Sequence, residues 1–159
     1  GSNRTENSPQ EWHASAAQGE VLMRTVIVDT GAIYALVMRS DKNHDAARRF
    51  LQQLLKEPAS LLLHEWVFVE AMTLLKVRGG SGVAIRAGEE MKQNPLYRWQ
   101  PSTPQLEQLA WGIFERYSDK DWSYTDCALL ALSQQAKVAE VWTYDQNLKQ
   151  ATLWKTVGR

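Results

Sequence analysis

The strongest constraint on this chain is the regular alternation of short, β-branched runs with longer helical stretches. Thr25-Val26-Ile27-Val28 is apolar on both faces. A strand of that kind must be covered on both sides, as in a parallel sheet lying between layers of helices. Helical periodicity follows from Ala32 to Met38 and from Asn43 to Lys56. In the second stretch Ala47, Phe50, Leu51, Leu54 and Leu55 share one face, opposite Arg48, Arg49, Gln52 and Gln53. Leu61-Leu62-Leu63 reads as a strand and Glu65 to Val77 as an apolar helix, broken by Gly79-Gly80-Ser81-Gly82. Val83 to Gln93 is the next helix, Leu96 to Gln100 a strand, and the stretch after Pro104 an amphipathic helix. Ser123 to Lys137 is helical, Glu140 to Thr143 a strand, Gln146 the centre of a short helix, and Leu153 to Val157 a last strand. Strands separated by helices of this length form βαβ units. The expected fold is α/β: a three-layer α/β/α sandwich around a mostly parallel sheet of four to five strands.

Composition narrows the class further. At 159 residues with 44% hydrophobic and 23% charged residues, the chain suits one folded domain. Residues 1–22 are polar and without sustained period, and read as a tag remnant or flexible extension; residues 23–159 form the single domain. One cysteine, Cys127, cannot close an internal disulfide, which leaves no sign of an oxidising compartment. The longest apolar run, Ala32 to Met38, is far short of a membrane span, so a cytoplasmic location without membrane association is expected. Lys+Arg and Asp+Glu balance at 18 each, which excludes a protein that coats nucleic acid by bulk charge.

In an open parallel sheet, ligands bind beyond the carboxyl ends of the strands. Asp29 ends the first strand, in Val28-Asp29-Thr30-Gly31, and Asp145 ends a later one, in Trp142-Thr143-Tyr144-Asp145. Glu70 lies in the apolar helix Trp66 to Met72, and its neighbours argue for burial. Asp126 lies in the first turn of the helix opened by Ser123. Acids placed in this way repel one another and raise one another's pKa unless a cation joins them. A hard divalent ion resolves that conflict, takes oxygen ligands and can activate water at a phosphodiester. Structural roles compete at every position. Asp29 suits a helix cap, Asp126 a capping box with Ser123, Glu70 an ion pair with Lys76 or Arg78, and Asp145 a turn.

The residues as a set resemble the PIN domain, and within it the VapC-type toxins of prokaryotic toxin–antitoxin pairs. The resemblance rests on Val-Asp29-Thr30-Gly31-Ala32, on His44 and Ala47, on Glu70, on Asp121-Trp-Ser123-Tyr-Thr125-Asp126, and on Trp-Thr143-Tyr-Asp145. It implies a Mg²⁺- or Mn²⁺-dependent endoribonuclease that leaves a 3′-hydroxyl and a 5′-phosphate. The acidic quartet of the family falls on Asp29, Glu70, Asp126 and Asp145. Supporting positions fall on Thr30, Ser123 and Thr143, with Asp121 offering an outer contact. The chain departs from the pattern after Asp145, where Gln146-Asn147-Leu148 replaces the usual continuation with a Phe. The resemblance further implies an RNA substrate, a cognate antitoxin and a homodimer. Two readings stand beside the toxin: a PIN nuclease of RNA processing or decay, and an inactive PIN-like binding module.

Other chemistries lack their residues. His64-Glu65 has Phe68 where a zinc-protease helix needs its second histidine. The Gly79 to Gly82 stretch lacks the Lys of a phosphate-binding P-loop, and no GxSxG elbow is present. Cys127 reads as a packed thiol, His44 as a capping or packing residue, and Trp66 and Trp111 as core or interface. From Arg39 to Arg98, ten Lys/Arg stand against seven Asp/Glu. Arg39, Lys42, Arg48, Arg49, Arg78 and Arg86 in that span could flank an RNA path.

Overall fold

The computed structural model describes residues 23–151 and 154–159. The N-terminal extension (1–22) and Leu153, the expected first residue of the last strand, lie outside the described residues. Five strands, β1 (Arg24–Val28), β2 (Ala59–His64), β3 (Tyr97–Gln100), β4 (Glu140–Trp142) and β5 (Lys155–Val157), form one sheet in the order β3-β2-β1-β4-β5. Every pairing is parallel, with Ile27 opposite Leu62 on one side and Val141 on the other. All carboxyl ends therefore open on the same rim, and β1 lies at the centre.

The helices are α1 (Thr30–Val37), α2 (His44–Leu54), α3 (Glu65–Gly79), α4 (Ser81–Gln93), α5 (Pro104–Arg116), α6 (Tyr124–Ala136) and α7 (Gln146–Lys149). α1 packs on α2 and α3, α3 on α4, and α5 on α6. With the sheet they make the three-layer α/β/α sandwich expected from the alternation of strands and helices. The all-apolar Val26-Ile27-Val28 and Leu61-Leu62-Leu63 runs are buried, as both-face strands must be. α6 is apolar around most of its circumference and is buried without interruption from Asp126 to Ser133.

The boundary that differs in kind from the reading of the sequence is the glycine break; the others shift by one or two residues. The break between the third and fourth helices occupies Gly80 alone, whose φ of 86° lies in the left-handed region. Gly79 still belongs to α3, and Ser81-Gly82 already belong to α4. A single left-handed glycine reverses the chain, so the others need no special backbone. Gly158 has the stricter requirement: φ is 90°, and a Cβ there would collide with the Trp142 indole.

Candidate active site

Four acids from four different elements line one open cleft of about 600 Å³ at the carboxyl rim of the sheet: Asp29, Glu70, Asp126 and Asp145. Asp29 follows β1 and caps α1, accepting from the Thr30 amide at 2.8 Å. Its backbone amide donates to the Trp142 carbonyl (3.0 Å), which fixes it against β4. The fully buried Thr143 hydroxyl donates to Asp29 Oδ2 at 2.7 Å and accepts from the Asp145 amide at 3.1 Å. One threonine thus joins the acids that end β1 and β4.

Ser123 caps α6, and Asp126 in its first turn closes a reciprocal box with it. The Ser123 amide donates to Asp126 Oδ2 at 2.8 Å, and the Asp126 amide donates to Ser123 Oγ at 3.0 Å. The cap uses one carboxylate oxygen only, because among the described residues no donor reaches Asp126 Oδ1. Asp145 caps α7 through Oδ1, which accepts from the Asn147 amide at 2.8 Å. Its departure from the family pattern is stabilised by tryptophans. The Trp122 indole donates to the Asn147 carbonyl (3.1 Å) and the Trp154 indole to the Leu148 carbonyl (3.0 Å).

Glu70 corrects the expectation of burial. α3 buries Val67, Ala71 and Leu75, while Glu70 and its neighbour Val69 are exposed. Apolar neighbours in sequence are a poor guide here because successive helical residues point about 100° apart. Neither Lys76 nor Arg78 pairs with it. Glu70 Oε2 accepts from the Thr30 hydroxyl at 3.0 Å and Oε1 from the Thr125 hydroxyl at 2.7 Å. Thr125 is a site residue that the sequence pattern alone does not assign; its position beside Asp126 in the first helical turn is the available signal.

The electrostatics of the cleft are unbalanced. Burial pushes the Asp29 carboxyl up to about 6, and the charges of Asp126 and Asp145 add to the rise, against the hydrogen bonds from Thr143 and Thr30. Asp126 is likewise raised, first by burial and then by Asp145 and Glu70, with the Ser123 amide opposing. Oxygen donors of like charge around an open space fit a hard divalent cation. Among the described residues no three acids are drawn close enough to enclose an ion by themselves.

Thr30, Ser123 and Asp121 line the cleft; Thr143 lies beneath it. Tyr34, Asp41, Asn43 and Tyr144 also line it and have no sequence signal beyond proximity to a motif, whereas Arg78, which lines it too, is one of the cations expected to flank an RNA path. Arg78 stacks on the Tyr34 ring, 5.4 Å from its centroid. His44 stays structural: its Nδ1 makes a 2.8 Å hydrogen bond with the Ala35 carbonyl. Cys127 is buried beside the site, and burial pushes its thiol up to about 11, which makes it unreactive.

The model of the PIN domain family matches residues 26–152 of the chain. A curated relative, the 23S rRNA-specific endonuclease VapC20 of Mycobacterium tuberculosis, is 25% identical over 126 residues, covering 79% of this chain and 93% of that protein. The crystal structure of M. tuberculosis VapC20, a sarcin-ricin loop cleaving toxin, has a TM-score of 0.72 at 24% identity and covers 80% of this chain and 95% of that one. FitAcB from Neisseria gonorrhoeae follows at a TM-score of 0.62, 17% identity, and coverage of 82% and 95%. A toxin–antitoxin complex from Klebsiella pneumoniae has a TM-score of 0.59 at 15% identity, covering 83% and 95%. The likenesses to solved structures are likenesses of fold.

Proposed function

The chain belongs to the PIN domain family, and from that premise we propose that it is a divalent-metal-dependent endoribonuclease acting as the toxin of a type II toxin–antitoxin pair. The observation that carries this reading is the convergence of Asp29, Glu70, Asp126 and Asp145, from four elements, on one cleft. The similarity to an rRNA-specific endonuclease supports RNA as the substrate class. The four acids would hold Mg²⁺ or Mn²⁺, which when bound neutralises charge at the phosphodiester and makes water a better nucleophile.

The chain's own donors set the geometry. Thr143 keeps Asp29 Oδ2 aligned, Thr30 and Thr125 fix both oxygens of Glu70, and the Ser123 and Asn147 amides orient Asp126 and Asp145. Such fixed acids lose little freedom when substrate arrives. In the hydrolysis, water oxygen bonds to phosphorus, the P–O3′ bond breaks, and the departing 3′ oxygen takes up a proton. The products are a 3′-hydroxyl and a 5′-phosphate.

An antitoxin would block the cleft, and the likeness of fold to a toxin–antitoxin complex from Klebsiella pneumoniae supports such a partner. Exposed Val69, Val77, Ile85, Trp99, Trp111 and Phe114 supply apolar surface for it or for a second copy of the chain. Cleavage of RNA by wild type and Asp29→Asn, with Mn²⁺ and with EDTA, tests the mechanism. Wild type alone should cut, and only with the metal; equal activity in the two proteins, or indifference to EDTA, would sink it. Growth arrest on expression, relieved by the product of a neighbouring gene, tests the toxin assignment.

A further inference from the structure

The nuclease reading gives the acids a task and leaves the cations beside them without one. A second hollow of about 250 Å³ adjoins the cleft and shares Asn43 and Tyr144 with it. Its other walls are Lys42, Ala46, Gln146 and Arg159. Lys42 and Arg159 are exposed. Among the described residues the salt bridges belong to Arg24, so neither cation has a carboxylate within ion-pair distance. Arg49 adds a third positive charge. With Arg159 it acts on the Tyr144 phenol, whose hydroxyl is fixed by donating to the Gly158 carbonyl at 2.6 Å. Asp41, the acid that precedes Lys42, acts on the same phenol with the opposite sign and accepts from the Asn43 amide at 2.8 Å, so one negative charge stands beside three positive ones.

We propose that this hollow is a phosphate subsite, in which Lys42 and Arg159, with the side-chain amides of Asn43 and Gln146, hold an RNA backbone phosphate next to the one hydrolysed. The inference rests on the nuclease reading and extends it to substrate positioning. A cleft of four acids repels a polyanion, so the strand must be drawn in by charge placed beside the reacting group. Unpaired cations bordering the acids supply that charge at the right place. Guanidinium, ammonium and amide N–H groups all donate, and none of them accepts, which matches a phosphate's acceptor oxygens. An acidic segment of a partner protein is the competing occupant.

The test measures binding of a short, fluorescein-labelled, single-stranded oligoribonucleotide of mixed sequence to Asp29→Asn protein across a salt series. Adding Lys42→Gln and Arg159→Gln should weaken binding roughly tenfold and flatten the slope of log affinity against log salt by about 0.7, the value for one phosphate no longer neutralised on a single strand. Arg49→Gln should flatten it further, and Lys56→Gln, just beyond the carboxyl end of α2, should change nothing. With Asp29 intact, the Lys42/Arg159 double variant should raise KM for RNA cleavage about tenfold with kcat within about twofold. Unchanged slopes, absent salt-dependent binding by the parent, or a loss confined to kcat would overturn the subsite. So would intact RNA binding accompanied by lost binding of a polyglutamate peptide. If the slopes change as expected and no protein cleaves RNA, the nuclease reading fails and the subsite stands.

Discussion

The two ends of strand β1 are built on opposite electrostatic plans. At its start, Arg24 donates to Glu140 at 2.8 and 3.0 Å and to Glu57 at 3.0 Å, so each charged group has a partner of opposite sign within the chain. Just past its other end, Asp29 is buried among further acids and pushed up to about 6, and among the described residues no cation pairs with it. The two charged groups stand five positions apart. The matched end ties β1 to the edges of its neighbours and contributes stability. The unmatched end opposes folding of the metal-free protein and is what a cation would relieve. Strain of this kind is stored at sites that do chemistry.

The sharpest way to break this comparison is at Asp126, where cap and cleft coincide. Asp126→Asn keeps an acceptor for the Ser123 amide, so α6 should form and the protein should melt close to wild type. RNA cleavage should nevertheless fall more than about a hundredfold, beyond the range seen when only a ligand's supporting partner is removed. Activity near wild type in single-turnover cleavage would reduce Asp126 to its capping role. Next in size is Thr143→Val, which removes the donor to Asp29 and the acceptor for the Asp145 amide without changing shape. Cleavage should drop about 10- to 100-fold, and the acid limb of the pH–rate profile should move up as Asp29 loses a hydrogen bond to its charged form. An unmoved profile would separate Thr143 from the site.

Arg24→Ala probes the matched end. It leaves Glu57 and Glu140 unanswered, and because the guanidinium is a third exposed the cost should be about 1–2 kcal/mol of unfolding free energy by urea titration. Cleavage per folded molecule should stay the same; a parallel loss of activity would mean that the two ends of β1 are coupled. The smallest effect concerns His64, at the carboxyl end of β2 but outside the cleft. Its Nδ1 accepts from the Trp66 amide at 3.0 Å, capping α3, while Nε2 is buried without a partner among the described residues. Burial lowers its pKa from 6.5. The native state therefore takes up this proton less readily than the unfolded chain. Stability is complete above pH 6.5 and declines as pH falls below it through the lower native value. His64→Asn, which preserves a capping acceptor, should flatten that acid-side decline in melting temperature; an unaltered slope would remove His64 from the account.

Much of this is legible in the sequence because the signals are local. The both-face strands Val26 to Val28 and Leu61 to Leu63, and the acids closing β1 and β4, follow from hydrophobic pattern and strand position alone. Ser123 with Asp126 announces a capping box by spacing. What is not legible depends on pairing across the sheet or on helix rotation. The exposure of Glu70 requires knowing which arc of α3 meets the core. The bond from Thr143 to Asp29 spans 114 residues and exists only because β1 and β4 are neighbours. Thr125 reaches Glu70 across 55 residues for the same kind of reason. Trp122 and Trp154 support the turn after Asp145 through indole donors to main-chain carbonyls, and no local pattern around either tryptophan specifies those partners.

On the proposed function, the acidic rim destabilises the fold until a cation joins it. In the native state Asp29 binds its proton more tightly than in the unfolded chain, so stability falls as pH rises from 3.8 through about 6 and the penalty is complete above that. The rise corresponds to roughly 3 kcal/mol, an upper limit on what removing the charge can restore. Thermal melting at neutral pH, in EDTA and in Mn²⁺, of wild type and Asp29→Asn reads it directly. In EDTA Asp29→Asn should melt above wild type; Mn²⁺ should raise the wild-type melting temperature and move the variant little. A wild type indifferent to Mn²⁺, with Asp29→Asn melting at or below it in EDTA, would contradict the account.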